Sequence, residues 1–413
     1  MLRYWIWLAT RKHIGSSGML AVLAHFGTPE AAYHADAESY QLVEGLRRTD
    51  SLEDKDLKET DRILSACYRQ NIHILTWQDA AYPERLRNIP DPPALLYYQG
   101  NFPAIDTEPV IAVVGTRRAS AYGMIQAKQL GNELGRYGAI VASGGAAGID
   151  TMALKGALGS GKSVIAVLGG GHDKLYPASN RDLFEDIRAH GCLISEYPPG
   201  TPALGEHFPV RNRILSGLAV GTLVVESPLR SGARNTAKHA LEQGRDVFTI
   251  PANVGAATFQ GNLQLLKEGA ILVEEGWDVM KEYVNVFPML AGRRMDSLQM
   301  MLSRSEQREA EKNAGKSVAV VAEKVSAAPT PSDTKDIDKP KAKPYIDVNK
   351  LADTVSPDEK TILQLLIDGP LHVDLLIDRS QIPANRVLAS MTLLEVKGLI
   401  NKLPGGMVSL AEE

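Results

Sequence analysis

Cysteine is nearly absent: of 413 residues only Cys67 and Cys192 are cysteine, in different segments and with no Cys-x-x-Cys spacing. That excludes a disulfide framework and a thiolate zinc site and points to a reducing compartment. Histidine, at nine residues, shows no HExxH or other clustered ligand spacing, so neither a metal nor metal catalysis is expected. Long apolar runs are missing as well. The N-terminal run Tyr4-Trp5-Ile6-Trp7-Leu8 is too short to cross a bilayer, and Arg11-Lys12 stands where a signal peptide would carry small residues. The expectation is a cytoplasmic protein without membrane association. Positive charge is not in excess either. A formal net charge of −4 argues against a non-specific polycation, so contact with nucleic acid would have to come from a local basic patch. What remains, 44% hydrophobic and 23% charged residues, is ordinary for soluble globular protein with two to four domains.

An intact dinucleotide fingerprint is also lacking. Gly169-Gly170-Gly171 has no third glycine at the required spacing, and Gly115 runs into Thr116-Arg117-Arg118, so no NAD, FAD or other cofactor is expected. One phosphate motif is present by its letters: Gly156-Ala157-Leu158-Gly159-Ser160-Gly161-Lys162-Ser163 matches G-x-x-x-x-G-K-[ST]. Its context is reversed. A P-loop needs a strand before the glycines and a helix after them, whereas the pattern here is a helix at 149–158 and then a strand at 164–168. The segment reads as a helix-to-strand turn with glycine at its C-terminal end.

The chain divides by texture into four parts. Residues 1–70 carry helical patterns and form a small helical domain, SAM- or helix-hairpin-helix-like. Its Gly15-Ser16-Ser17-Gly18 turn is either a phosphate-contacting hairpin or an ordinary helix–helix connection. Residues 71–289 alternate helices with nine short apolar runs, at 72–75, 94–98, 110–114, 139–142, 164–168, 192–195, 222–225, 246–250 and 270–273. That alternation predicts a doubly wound, mostly parallel α/β sheet. Residues 290–349, rich in Lys, Glu, Ala, Pro and Ser, read as a flexible linker with a transient helix over 297–312. Residues 350–413 have the winged-helix order: a helix opened by Ser356-Pro357-Asp358-Glu359, two more at 372–378 and 383–399, and a hairpin around Pro404-Gly405-Gly406. The helix 383–399 carries only Arg386 and Lys397 against Glu395, a poor match to a DNA groove.

The segment 110–150 organises the candidate site. It is a βαβ unit, and ligands of such units sit beyond the carboxyl ends of the strands. Arg117 and Arg118, then Ser143, Gly144 and Gly145, lie at that edge. Phe208-Pro209-Val210-Arg211-Asn212-Arg213 adds an aromatic, two guanidiniums and an amide in a loop entering a helix. Such a set suits a base stacked on Phe208 with Arg211 and Arg213 on phosphates, with Ser231 and Gly232 converging on the same edge. Ser179-Asn180-Arg181-Asp182 reads as a capping box without function. The carboxylates Asp150, Asp173, Glu196 and Glu226 at strand ends leave open a nucleotide or nucleoside hydrolase, unless they pair with Arg211, Arg213 or Arg230. Leu263, Leu265 and Leu266 are either part of a dimer interface or a buried helix face.

The ordered motifs VIAVVGTRRASAYG, SGGAAGIDTMALKGAL, SVIAVLGGGHDKLYPASN, LISEYPPG, FPVRNRILSGLA, LVVESPLRSG and GRDVFTIP resemble the DNA-processing protein A (DprA/Smf) family across the whole core. The resemblance implies an extended Rossmann-like core without catalytic turnover. It implies a homodimer that binds and protects single-stranded DNA and loads the RecA recombinase in natural transformation and DNA recombination. The residues carried over are Arg117, Ser143, Gly144, Gly148, Ile149, Asp150, Phe208, Arg211, Asn212 and Arg213. Three departures stand out. Ala147 replaces a basic residue, Leu154 replaces a histidine, and Ala233-Arg234 replaces Ser-Leu, with Arg234 the candidate to restore the lost charge. On this reading salt weakens binding, and alanine at both Arg211 and Arg213 abolishes it.

Overall fold

The computed structural model describes residues 1–294 and 356–410, apart from 368, 370, 381, 398 and 404–406. It divides into two compact units, Met1–Val320 and Val321–Glu413. Apart from its first residues, the linker segment lies outside the described residues, as does the helix expected at 297–312.

In the first unit nine strands form one sheet: β1 His73–Thr76, β2 Leu95–Gly100, β3 Val110–Val114, β4 Ile140–Ser143, β5 Val164–Val167, β6 Cys192–Ser195, β7 Gly221–Val224, β8 Asp246–Thr249 and β9 Ile271–Leu272. Their order across the sheet is β1-β2-β6-β5-β4-β3-β7-β8-β9. Every expected strand is found within two residues of its expected ends. Pairing is parallel from β6 through to β9, while β2 is antiparallel to both β1 and β6. The central strands β3, β4, β5, β6 and β7 are buried at every position, as required when helices cover both faces.

The two faces have separate cores. One holds Ile111, Val113, Val141 and Leu193 against the helices Ala121–Arg136, Ile149–Leu158 and Arg181–His190. The other holds Val110, Ala112, Ile140 and Ile165 against His207–Leu218 and Gly232–Glu242. The chain fills β3 to β6 in one direction and then returns to place β7 on the free side of β3. A crevice therefore opens at the carboxyl ends of β3 and β7, where ligands bind in sheets of this kind.

The N-terminal helices pack Trp5, Ile6, Trp7 and Leu8 against Leu95 and Tyr97 of β2, so this segment shares its core with the sheet edge. Gly15-Ser16-Ser17-Gly18 is no turn: it is the first turn of the helix Gly15–Phe26. Ser16 Oγ donates to Pro92 O and accepts from Ala94 N, and Ser17 Oγ donates to Asp91. The serines fasten the helix to the core rather than facing a phosphate.

Residues 290–294 also belong to this fold, not to a linker. Leu290 is fully buried, and Arg294 lies 4.7 Å from the Trp277 ring. The second unit has the winged-helix order, with helices Pro357–Leu365, Val373–Ser380 and Ala384–Val396 and a hairpin of Ile400–Leu403 with Met407–Leu410. Ser356 and Glu359 form the expected capping box. Leu371–His372 adds a third strand that periodicity does not reveal. Arg386 pairs with Asp358, and Lys397 with Glu359.

Candidate nucleic-acid interface

The crevice is a groove of about 430 Å³ built mainly from three chain segments, with Ala146 and Asp150 after β4 adding to its wall. The first is the turn after β3, which contributes Gly115, Thr116, Arg117 and Arg118. It is held against the start of the helix Ile149–Leu158, where Ile149 N donates to Thr116 O at 3.3 Å. The approach needs glycine at 148. Its φ is +82° and its ψ −125°, and a Cβ there would collide with Thr116 O, so any other residue would be both strained and crowded.

The second segment is the helix His207–Leu218, and here the sequence expectation fails in an instructive way. Residues 208–213 lie in the first two turns of that helix, with Pro209 in the first turn where proline is tolerated. Helical spacing decides which residues share a face. Phe208, Arg211, Asn212 and Leu215, at i, i+3, i+4 and i+7, line the groove. Arg213, two positions beyond Arg211, points elsewhere. It is 6% exposed and gives its guanidinium to Glu196 at 2.7 and 3.0 Å and to Asp91 at 2.9 Å. Arg213 is thus a structural ion pair, not a phosphate ligand, and Glu196 is no free acid.

Arg211 lines the groove but is only 5% exposed. Its Nη1 donates to Gly144 O at 2.9 Å and to Val167 O, and its Nε donates to Asn212 Oδ1 at 3.2 Å. Burial pushes its pKa down to about 10, opposed by Asp150, so it stays protonated at neutral pH. Burial pushes the Asp150 carboxyl up, opposed by Arg211 and by backbone N–H groups; Gly144 N donates to it at 3.1 Å. Gly144 sits between them, and a Cβ there would strike both side chains. Ser143 is fully buried and donates to Val113 O at 2.6 Å, and Gly145 is buried too. These three expected ligands therefore support the groove from beneath and do not line it.

The third segment is the β7 loop and the helix Gly232–Glu242, which bring Pro228, Arg230, Ser231, Gly232, Asn235 and Thr236 to the groove. Arg234 faces away, 3.1 Å from Glu268, and so does not restore the charge missing at Ala147. Asn235 and Thr236, together with Arg230, are the groove residues that motif reading overlooks. The signal was available: once Gly232 is placed on the groove, positions three and four further along the helix must follow.

The exposed charges sit at the rim. Arg117, Arg118 and Arg230 are exposed, and none has a carboxylate partner among the described residues. Arg117 lies 4.9 Å from the centre of the Phe208 ring and Arg211 5.8 Å from it, so two cations already use that aromatic face. Tyr176, half exposed, extends the aromatic surface at 5.8 Å from Phe208. Asn180 stands at the N-cap of the helix Arg181–His190 but makes no side-chain cap hydrogen bond, so the expected capping box does not form. The residue is buried, and its Nδ2 donates to Gly145 O and Thr151 Oγ1, locking the loop after β4.

The remaining sequence candidates lie elsewhere. Glu226 is fully buried and accepts from Ser120 N and Oγ, securing the start of the helix Ala121–Arg136. Asp173 accepts from Gly200 N. Lys162 of the Walker-like segment is paired with Glu108 between a helix and a strand, as its context predicts. Leu154 is fully buried in the core. Leu265 is buried and belongs to the second core. Among the described residues no cluster of His, Cys, Asp or Glu fits a metal ion, and no helix is long and apolar enough to cross a membrane.

Comparison with known proteins identifies the family. A family model described as DNA recombination-mediator protein A matches residues 73–284, and one described as the DprA winged helix domain matches residues 349–406. The chain belongs to the DprA/Smf family. It is 37% identical over 221 residues to the DNA processing protein DprA of Bacillus subtilis, covering 54% of this chain and 74% of that one. With the Streptococcus pneumoniae DprA it shares 42% over 209 residues, covering 50% and 72%. The X-ray structure of that S. pneumoniae protein superposes with a TM-score of 0.62 at 34% identity, over 68% of this chain and 98% of the other. DprA/Smf proteins carry DNA-processing names, and the groove described above falls inside the matched core.

Proposed function

We propose that this DprA/Smf protein binds single-stranded DNA in the groove between β3 and β7, without turning it over, and as a homodimer passes the strand to a RecA-type recombinase during DNA recombination, including natural transformation. The observation that carries the reading is the rim itself. Three exposed guanidiniums without carboxylate partners stand beside a partly exposed aromatic at the switch point of the sheet. This is the pairing of backbone charge and base stacking that single strands need. The hydrolase alternative is less favoured: Glu196 is tied to Arg213 and Glu226 is buried on Ser120, neither lining the groove, and Asp150, which does line it, is buried and accepts from Gly144 N and Ala146 N.

The test is fluorescence anisotropy with single-stranded and duplex oligonucleotides of equal length across a salt series. Arg117→Ala with Arg118→Ala should weaken single-strand binding by roughly tenfold or more and reduce the salt slope by about 1.4, two contacts at about 0.7 each. Unchanged affinity and slope would overturn the site. Dimerisation is read by light scattering, and recombinase delivery by filament formation on pre-coated single strands.

A further inference from the structure

Asn235 lines the groove, and its amide is oriented by a relay that starts at a group able only to donate. Arg211 cannot accept a hydrogen bond. Its Nε donates to Asn212 at 3.2 Å, so the atom of Asn212 facing it must be the carbonyl Oδ1. The other end of that carboxamide is then the NH2 group, which donates to Asn235 Oδ1 at 3.1 Å. By the same logic the remaining end of Asn235 is its own NH2 group. Asn235 lines the groove, and its Nδ2 has no acceptor among the described residues. Three residues thus fix one free end of an amide as a donor, in the groove that Arg230, Phe208 and Arg117 also line.

We infer that Asn235 is a base-reading residue that selects, at one position of a bound single strand, a base presenting a carbonyl oxygen over one presenting an amino group. The inference rests on the single-strand reading of the groove. The partner is a keto edge, as in uracil, thymine or guanine. An amino edge, as in cytosine or adenine, would set donor against donor and leave both unpaired. Backbone contacts from the rim arginines give affinity without sequence information, so the preference is superimposed on general binding.

The probes are oligo(dU) and oligo(dC) of equal length, which differ at carbon 4 by a keto against an amino group and in the protonation of ring N3. The readout is the ratio of their affinities, measured by anisotropy at fixed salt and neutral pH. For the unaltered chain oligo(dU) should bind about 3- to 10-fold more tightly, the effect of one neutral hydrogen bond. Asn235→Leu should bring the ratio close to one. Asn235→Asp keeps the shape, accepts the Asn212 donor and turns an acceptor to the groove, so the ratio should invert even as overall binding weakens. Asn212→Leu should also lower the ratio by freeing Asn235 to rotate, and thermal melting checks that this buried site still folds. A ratio that stays the same in Asn235→Leu and Asn235→Asp, while Arg117→Ala still weakens binding, overturns the role of Asn235 and leaves the groove reading standing. Loss of both oligonucleotides to an equal degree in Asn235→Leu makes Asn235 a phosphate ligand and overturns base reading. If neither oligonucleotide binds the unaltered chain, the groove reading fails first.

Discussion

Arg213→Ala should be a stability lesion rather than a binding lesion, and the size of the effect follows from the surroundings of the guanidinium. The Arg213 side chain is 8% exposed, Glu196 20% and Asp91 44%. Truncating one partner of a buried pair costs about 3–5 kcal/mol, mostly because the other charge stays behind unpaired. Glu196 keeps some solvent and Asp91 is half exposed, where ion pairs contribute little, so the lower end applies: about 3 kcal/mol. For a unit of this size that lowers the melting temperature by roughly 5–10 °C. Adding Glu196→Gln to Arg213→Ala removes the stranded charge and should recover a substantial part of the loss. Arg117→Ala, exposed and without a carboxylate partner, should stay within about 0.5 kcal/mol of the unaltered chain while losing affinity for single strands. Differential scanning calorimetry and anisotropy below the lower melting temperature separate the two. If Arg213→Ala melts like the unaltered chain yet no longer binds DNA, then Arg213 faces the ligand and the helical-face reasoning is wrong. The alanine pair at 211 and 213 is for the same reason a poor test of binding, because it dismantles the floor of the groove.

Three further predictions probe the supports. Gly148→Ala should destabilise the first unit by more than about 2 kcal/mol and weaken single-strand binding, since the left-handed backbone and the contact with Thr116 both oppose a side chain; melting and anisotropy read both effects. Lys162→Ala should cost at most about 1 kcal/mol, the pair with Glu108 being partly exposed, and should leave single-strand affinity intact; a loss of nucleotide-dependent activity would revive the P-loop. His172 is 1% exposed, and burial pushes its pKa down to about 4. The unfolded chain takes up a proton near pH 6.5 that the folded chain refuses. Stability is therefore fully present above pH 6.5 and falls by about 3 kcal/mol as pH drops towards 4. Urea unfolding across that range should flatten in His172→Asn, and parallel curves would refute the assignment.

The strands were legible because a central strand buried on both faces leaves an uninterrupted apolar run, as at 110–114 and 192–195, and because glycine marks the turns. The reversed P-loop was legible for a related reason: local order alone says which element precedes the glycines. The direction of each arginine was not. Arg211, Arg213 and Arg234 are all cations near glycine-rich segments, yet one is a buried brace, one is neutralised by Glu196 and Asp91, and one is turned towards Glu268. Those carboxylates come from segments 17 to 122 residues away, and no local pattern announces them. The start of a helix is the second blind spot. Reading 208–213 as loop let every residue face the ligand, whereas a helix begun at His207 sorts them at 100° per residue and sends Arg213 to the other side. The same sorting promotes Asn235 over Arg234. Charge draws the eye in a sequence that lacks any global excess of it, but it is the helical phase set by Gly232 that decides which side chain meets the groove.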